Sequence, residues 1–252
     1  MIEILILSII QGITEFIPVS SSSHLIIIAD YLNFQDQSLS IDVSLHIGSF
    51  IAVIIYFYKD IINFYENKEL FLKIFISSIP VIFIGYILVH SGTIEKIRNL
   101  ETIAWTTFSF GLLLYVSDKF KLEKNIKENL SFKYAIFIGI FQILSLFPGV
   151  SRSGIAITTA RFLNFKRSEA AKISFLISIP ILGAVSGFGI LKILTSENSG
   201  FAQINLLAIF LSFLFSLLTI KFFLKFINKF SLTVFVFYRL ILGLMLLKLA
   251  YL

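Results

Sequence analysis

The stretch Gln11-Gly12-Ile13-Thr14-Glu15-Phe16-Ile17-Pro18-Val19-Ser20-Ser21-Ser22-Ser23-His24 decides how the chain folds. The run before it, 2–10, is almost wholly apolar, with Glu3 its only ionisable side chain, and apolar residues resume at once over 25–28. A carboxylate, a proline, four serines and a histidine therefore interrupt what would otherwise be one greasy segment. Ionisable groups at membrane depth are costly and point to function. Pro18 lacks an N–H and disfavours helix in the residue before it, so a helix break is expected there. The segment after the break, 25–34, spans only about 15 Å as helix, half of a bilayer that takes about 20 apolar residues to cross. The reading is a re-entrant hairpin: in along 2–17, a polar break at mid-depth, out along 25–34. Such backbone is tolerated at depth only where protein or a watery cavity surrounds it.

The rest of the chain fits a membrane setting. Of 252 residues 57% are hydrophobic, 29 are Phe and only 14% are charged, against about 25% charged in a soluble domain. Mean hydropathy is +0.93. The class is an all-α polytopic membrane protein. Cysteine is absent, which excludes disulfides, thiolate metal sites and a thiol nucleophile. The net charge of +6 does not indicate nucleic acid, because the basic residues collect in a few loops, where they report orientation. The N-terminus lacks a basic n-region and a small-residue cleavage site and reads as mature sequence.

Six full spans are expected, over 42–58, 70–89, 100–117, 169–194, 204–226 and 232–252, the first continuing through Ile61, Ile62 and Phe64. A charged loop is expected over 118–133. A second interrupted segment, 134–163, is broken by Leu146-Phe147-Pro148-Gly149-Val150-Ser151-Arg152-Ser153-Gly154. It repeats the first break at an offset of 131: Gln11 matches Gln142, Phe16 matches Phe147, Val19-Ser20 matches Val150-Ser151 and Ser22 matches Ser153. Ser44 and Ser174 then open similarly placed spans. The whole chain, 1–252, forms one membrane domain of two repeats, about 1–117 and 134–252.

A hairpin crosses nothing and three spans cross three times, so the second repeat enters from the opposite side. This is an inverted-topology repeat with both broken tips near the midplane. The same count puts Lys59, Lys68, Lys73, Lys119, Lys121, Lys124, Lys127, Lys133, Lys166, Arg167, Lys172 and Lys229 on one side, and mainly Lys96, Arg98, Lys192 and Lys248 on the other. The positive-inside rule makes the crowded side cytoplasmic, with both termini outside.

Gln11 and Glu15 are spaced i, i+4 and share a helix face. Glu15 reads as a buried acid that needs a cation, whether metal, arginine or substrate counter-ion. Among Ser20–Ser23 at least one hydroxyl is expected to cap the following helix, and His24 beside them suits acid/base or orienting work. In the second break, a glycine-flanked turn opening a helix aims N–H groups at an anion. Arg152 adds a planar fork suited to phosphate, with the Ser151 and Ser153 hydroxyls beside it. Arg239 is a mid-span cation expected to neutralise a carboxylate or an anion. Asp42 and His46 open a span as supporting groups, Asp42 equally as a helix N-cap. From these residues two functions fit: a phosphoryl-transfer hydrolase acting on a lipid-borne phosphate, or an inverted-repeat transporter or flippase moving an anion or a phosphorylated lipid.

At these motifs the chain resembles the undecaprenyl pyrophosphate phosphatases of the bacitracin-resistance type. The resemblance rests on Gln11-x-x-x-Glu15 followed by Phe16-Ile-Pro-Val-Ser-Ser-Ser-Ser-His24, and on Pro148-Gly-Val-Ser-Arg-Ser-Gly154. It extends through 42–48, 174–180 and 238–243, essentially the whole chain. It implies a cell-membrane hydrolase that takes the terminal phosphate from undecaprenyl diphosphate, recycling the carrier lipid for peptidoglycan synthesis and conferring bacitracin resistance. It implies a divalent cation, Mg²⁺ or Ca²⁺, and a site opening to the outer face. Its partners would be the polyprenyl diphosphate and membrane lipid, with no nucleic acid and with a homodimer left open.

By the same resemblance Glu15, Ser21, His24 and Arg152 look catalytic, with Ser21 the nucleophile or the positioner of a water. Glu15 with Gln11 looks like the metal-holding pair. Ser151, Arg152, Ser153 and Thr158 look like the phosphate contacts, with His46, Gln142 and Arg239 in support. Three departures touch the outer phosphate contacts. Ser23 stands where the family usually has glycine, Ala156 where it has threonine, leaving Thr158 as the nearest hydroxyl, and Thr159-Ala160 where a pair of glycines often follows.

Overall fold

The computed structural model describes residues 1–32, 34, 38–63, 67–120, 123–195 and 203–252. They form helices α1 (Ile2–Thr14), α2 (Ser21–Tyr31), α3 (Leu39–Tyr56), α4 (Tyr58–Ile62), α5 (Lys68–His90), α6 (Thr93–Ile97), α7 (Leu100–Asp118), α8 (Ile126–Asn129) and α9 (Phe132–Gln142). A 3-10 turn (Ile143–Leu146) extends α9, and α10 (Arg152–Phe162), α11 (Arg167–Leu194), α12 (Gln203–Ile227) and α13 (Thr233–Tyr251) complete the order. Among the described residues the only β pairing is an isolated bridge between Lys124 and Phe165.

Five helices, α3, α5, α11, α12 and α13, are long and apolar enough to cross a membrane. Large apolar side chains stand bare on their outer faces, among them Phe83, Leu206, Phe222 and Ile241, as expected where lipid is the solvent. Together these features are those of a multi-pass membrane protein. The expected span over 100–117 is α7, a helix of 19 residues whose polar load (Glu101, Thr102, Thr106, Thr107, Ser109) keeps it outside the set of five.

Local chemistry sets the helix starts. Side chains of Ser38, Asn67, Asn99 and Ser131 accept the free amides of Ile41, Leu70, Thr102 and Tyr134 at the heads of α3, α5, α7 and α9. Ser38, not Asp42, therefore caps α3, and Asp42 sits a turn inside it. The chain does not continue as one helix through Ile61 and Ile62. It turns at Phe57 (φ −98°, ψ 20°) and restarts as α4; Phe64 lies outside the described residues, as does Lys121. Phe34 falls beyond the end of α2. Within the charged loop, α8 is ordered by the Asn125 cap on Glu128 N and by Glu169, which accepts Ile126 N at 2.9 Å.

Two helix–break–helix hairpins, α1–α2 and α9–α10, pack against the long helices, and α1 and α9 each keep an exposed apolar face (Leu5 and Ile13; Ile136 and Ile140). The packing crosses between the halves: α1 lies on α12 and α9 on α5, while α3 lies on α12 and α11 on α5. α3 meets α11, and α7 meets α13. Beneath the first break the core is aromatic. Phe16 is fully buried and meets Phe175 edge-on at 5.4 Å, and Phe175 continues to Phe57 and Phe223. At one end of the bundle Asp118 is buried. It takes Arg167 at 2.6 and 3.0 Å and the Leu232 amide at 2.9 Å, while the buried Arg161 donates to the Asp118, Phe120 and Phe165 carbonyls.

Candidate active site

The two breaks have the same backbone device. Ser20 (φ 80°) and Ser151 (φ 71°), 131 positions apart, both carry a positive φ that non-glycine residues rarely adopt. Each strained serine immediately precedes a helix, so Ser21 and Arg152 are the first residues of α2 and α10. Such strain persists only where the surroundings over-determine it, and it clusters at functional sites. At Gly149 (φ +93°) the constraint is steric as well. A Cβ there would run into the Thr106 hydroxyl and the Ile103 carbonyl.

Glu15 ends α1 and stands between the two helix heads. Its Oε2 accepts from Ser21 Oγ at 2.6 Å and from Gln11 Nε2 at 3.0 Å, and its Oε1 accepts from Arg152 Nη2 at 2.8 Å. The Glu15 and Arg152 side chains are only 6% and 12% exposed, so their attraction is little screened by water. Two polar atoms at this centre remain buried without a partner: Arg152 Nη1 and Gln11 Oε1. Buried polar atoms are normally satisfied, so these two mark where a ligand oxygen and a cation would fit.

Ser153 Oγ donates to the Ile17 carbonyl at 2.8 Å and so ties α10 to the first break. Ser151 Oγ accepts Gly154 N at 3.1 Å, capping α10. Ser20 makes no such cap on α2; its hydroxyl lies 3.2 and 3.4 Å from those of Ser23 and Ser22, so the serine run is cross-bonded instead of capping. Arg239, the candidate to neutralise a carboxylate or an anion, does neither. Its guanidinium is 1% exposed and donates only to carbonyls: Pro18 (3.1 Å) of the first break, Gly149 (2.8 Å) and Val150 (3.2 Å) of the second, and Thr106 and Thr107 of α7. Breaking the helices left carbonyls pointing inward at both tips, and one arginine fork collects them.

Other expected groups stand further off. His24 does not reach Ser21 or Glu15; Nδ1 contacts the Ser20 carbonyl (2.6 Å) and Nε2 the Tyr238 hydroxyl (2.5 Å). His46 bonds the Asp42 carbonyl at 2.8 Å through Nδ1. Gln142, the counterpart of Gln11, is fully buried with neither amide atom bonded, and Leu146 stands where Glu15 would be. Thr158 is buried six residues beyond Arg152, about 9 Å along α10 and on another face, so it is not brought to the site. Tyr238 and the Thr106 hydroxyl, which donates to the Pro148 carbonyl at 2.5 Å, join the site without having been expected there. Tyr238 adjoins Arg239, and that adjacency is the signal in the sequence that could have found it.

Among the described residues no three His, Cys, Asp or Glu side chains converge on a metal position. Glu15 with the orphaned Gln11 Oε1 supplies one carboxylate and one amide oxygen. That set fits a Mg²⁺ or Ca²⁺ ion that draws its other ligands from phosphate and water oxygens.

Comparison with known proteins follows the same residues. An undecaprenyl-diphosphatase of Pelagibacter ubique is 48% identical over 99% of this chain and 98% of its own length. Undecaprenyl-diphosphatases of Saccharophagus degradans and a Jannaschia species are 40% and 37% identical, over 94% and 98% of this chain and 93% and 97% of their own. The model of the family described as bacitracin resistance protein BacA matches residues 4–245, which include both broken hairpins and every group around Glu15, and the chain belongs to that family.

Proposed function

We propose that the chain is an undecaprenyl-diphosphate phosphatase: a bacterial membrane hydrolase that releases the terminal phosphate of undecaprenyl diphosphate, leaving undecaprenyl phosphate for cell-wall synthesis. One observation carries the reading. Glu15 is clamped between the first residues of two helices, a hydroxyl on one oxygen and a guanidinium on the other. A base touching a nucleophile, with a phosphate-binding fork beside both, is what phosphoryl transfer requires. The relatives' names agree in reaction, and none favours the transporter reading.

In the mechanism, Glu15 Oε2 takes the proton of Ser21 Oγ, which attacks the terminal phosphorus in line. The Oγ–P bond forms as the bond to the bridging oxygen breaks, and undecaprenyl phosphate leaves. Water then cleaves the seryl phosphate: its oxygen goes to phosphorus as the Oγ–P bond breaks, Glu15 returns its proton to Ser21 Oγ, and the proton lost by the water recharges His24. Arg152 Nη1 and the free amides opening α2 and α10 hold the equatorial oxygens, where preorganised donors stabilise the charge of transfer. His24, at the edge of the site, takes up a proton at Nε2 and in that charged form supplies it to the departing oxygen. A divalent ion held by Glu15 and Gln11 Oε1 would supply further charge neutralisation on the phosphate oxygens.

The membrane arrangement we propose has six spans, α7 among them, and two re-entrant hairpins related as inverted repeats over 1–117 and 134–252. Three observations support it: the paired strained serines, the crossed packing of α1 on α12 and α9 on α5, and the α7–α13 contact, where Gly111 faces Arg239 Cβ as Gly243 faces Phe108 Cβ. The sorting of lysines supports both termini outside, and the family resemblance supports a site that opens toward the same face.

The test is phosphate release from polyprenyl diphosphate by purified protein in detergent with Mg²⁺. Alternating access needs two compartments and hydrolysis needs none. Absence of release, with Glu15→Gln indistinguishable from the unmodified chain, would overturn the reading.

A further inference from the structure

His24 is held at both ends. Its Nδ1 lies 2.6 Å from the Ser20 carbonyl oxygen, which the positive φ of Ser20 turns toward the ring, and its Nε2 lies 2.5 Å from the Tyr238 hydroxyl. A carbonyl oxygen only accepts, so Nδ1 carries the hydrogen. In the neutral ring Nε2 is then a bare acceptor, and the Tyr238 O–H donates to it. The two rings also face one another, with centroids 5.7 Å apart and planes 16° from parallel. Histidine in solution exchanges between two tautomers; here the partners of the two nitrogens together suit only one of them.

Tyr238 stands on α13, 43% exposed, while His24 is 9% exposed, so the hydroxyl lies between a buried imidazole and the outside. If Nε2 gains a proton, the same contact persists with its direction reversed, the phenol oxygen accepting. Proton exchange at Nε2 therefore needs no ring flip. The other half lacks both members together: the positions 131 residues earlier and later, Thr107 and Ile155, carry no hydroxyphenyl and no imidazole.

We propose that Tyr238 is a positioning residue for His24, which with the Ser20 carbonyl fixes the Nδ1–H tautomer and holds Nε2 as the proton-exchanging end. This rests on the reading of His24 as the proton donor of the phosphatase reaction, but its first test needs no turnover. The chain has three histidines, so ¹⁵N-histidine NMR of the full protein in micelles, assigned with His24→Asn, reads the tautomer directly. The expected result at neutral pH is a single Nδ1–H form in the unmodified protein. Tyr238→Phe keeps the stacking and removes the hydroxyl; a mixture of tautomers is expected, with kcat down about tenfold and KM unchanged, a fraction of what a general acid contributes. An Nε2–H form in the unmodified protein would overturn the proposal. So would a Tyr238→Phe protein with unaltered tautomer and kcat. Should the unmodified protein release no phosphate, the function would fall while the tautomer result still decided the role of Tyr238.

Discussion

Arg152 Nη2 donates to Glu15 Oε1 at 2.8 Å, joining the residue that ends α1 to the residue that begins α10. The pair joins the two broken hairpins and uses only part of the guanidinium, since Nη1 is buried without a partner. An incoming phosphoryl oxygen can therefore take Nη1 while the ion pair stays intact. A lysine in its place offers one compact head, which cannot serve the carboxylate and the phosphate in fixed directions. Arg152→Lys is expected to lower kcat by about 10²-fold or more, the scale of one lost transition-state donor. Steady-state phosphate release measures it, and turnover like that of the unmodified enzyme would remove Arg152 from the phosphate site.

Ser21 and Ser22 are neighbours with different surroundings. Ser21 Oγ lies 2.6 Å from Glu15, whereas Ser22 Oγ reaches only Ser20, at 3.4 Å. Ser21→Ala is expected to reduce turnover by about 10²-fold or more, the span of a positioned acid–base pair, and Ser22→Ala to leave it within a few-fold. Rapid quench with substrate labelled in the terminal phosphate should trap label on Ser21. A fully active Ser21→Ala enzyme would leave water as the attacker.

Much of this was legible in the residues and some was not. The two breaks and the meeting of Glu15 with Arg152 follow from apolar runs interrupted at a fixed offset, because a break at membrane depth must be enclosed by protein. Asp118 misled: a charge at a helix end reads as loop, yet it is buried because Arg167 lies 49 residues on and the Leu232 amide, just before α13, turns to meet it. Tyr238 was not singled out at all. A tyrosine in an apolar span carries no sign of its partner, and only the approach of α13 to α2 reveals the hydroxyl on His24. Arg239 was visible as a buried cation, but not its partners, since backbone carbonyls leave no trace in a sequence.

Those carbonyls make Arg239 a stability prediction. Arg239→Met would leave the inward carbonyls of Pro18, Gly149 and Val150 without donors, at about 1–3 kcal/mol for each buried group left unsatisfied. A clear fall in the thermal transition of detergent-solubilised protein is expected together with loss of activity. Arg239→Lys, with a single charged head, should recover little of either. If the variant instead kept its thermal transition and raised only KM, Arg239 would be an anion site and not a brace.

Gln11 Oε1 tests the cation. Among the described residues Glu15 is the carboxylate at the centre, and the amide oxygen of Gln11 beside it is buried without a partner. Removing Mg²⁺ and Ca²⁺ with a chelator is expected to stop turnover, and adding Mg²⁺ back to restore it. Gln11→Leu should raise the Mg²⁺ needed for half-maximal rate by about tenfold, as when a metal ligand or its support is lost. An unchanged Mg²⁺ requirement in that variant would place the ion on substrate oxygens and Glu15 alone.

The orientation of the inverted repeat is open to a direct test because the chain has no cysteine, so a single introduced thiol reports its own side without background. Lys96, in α6, and Lys127, in α8, are both exposed, so substitution there disturbs no core. If each hairpin returns to the side it entered from, three full crossings separate the N-terminus from α8, and two separate it from α6. Lys96→Cys is then expected to react with a membrane-impermeant maleimide in intact cells, and Lys127→Cys only after the membrane is permeabilised. If α1–α2 were a full crossing, both positions would exchange sides relative to the N-terminus. The sorted lysines would then sit outside, against the positive-inside rule, unless the N-terminus moved in. Labelling of Lys127→Cys in intact cells would therefore break either the re-entrant reading of the first hairpin or the outward placement of the site. A tag at residue 1, probed from outside in the same cells, tells which.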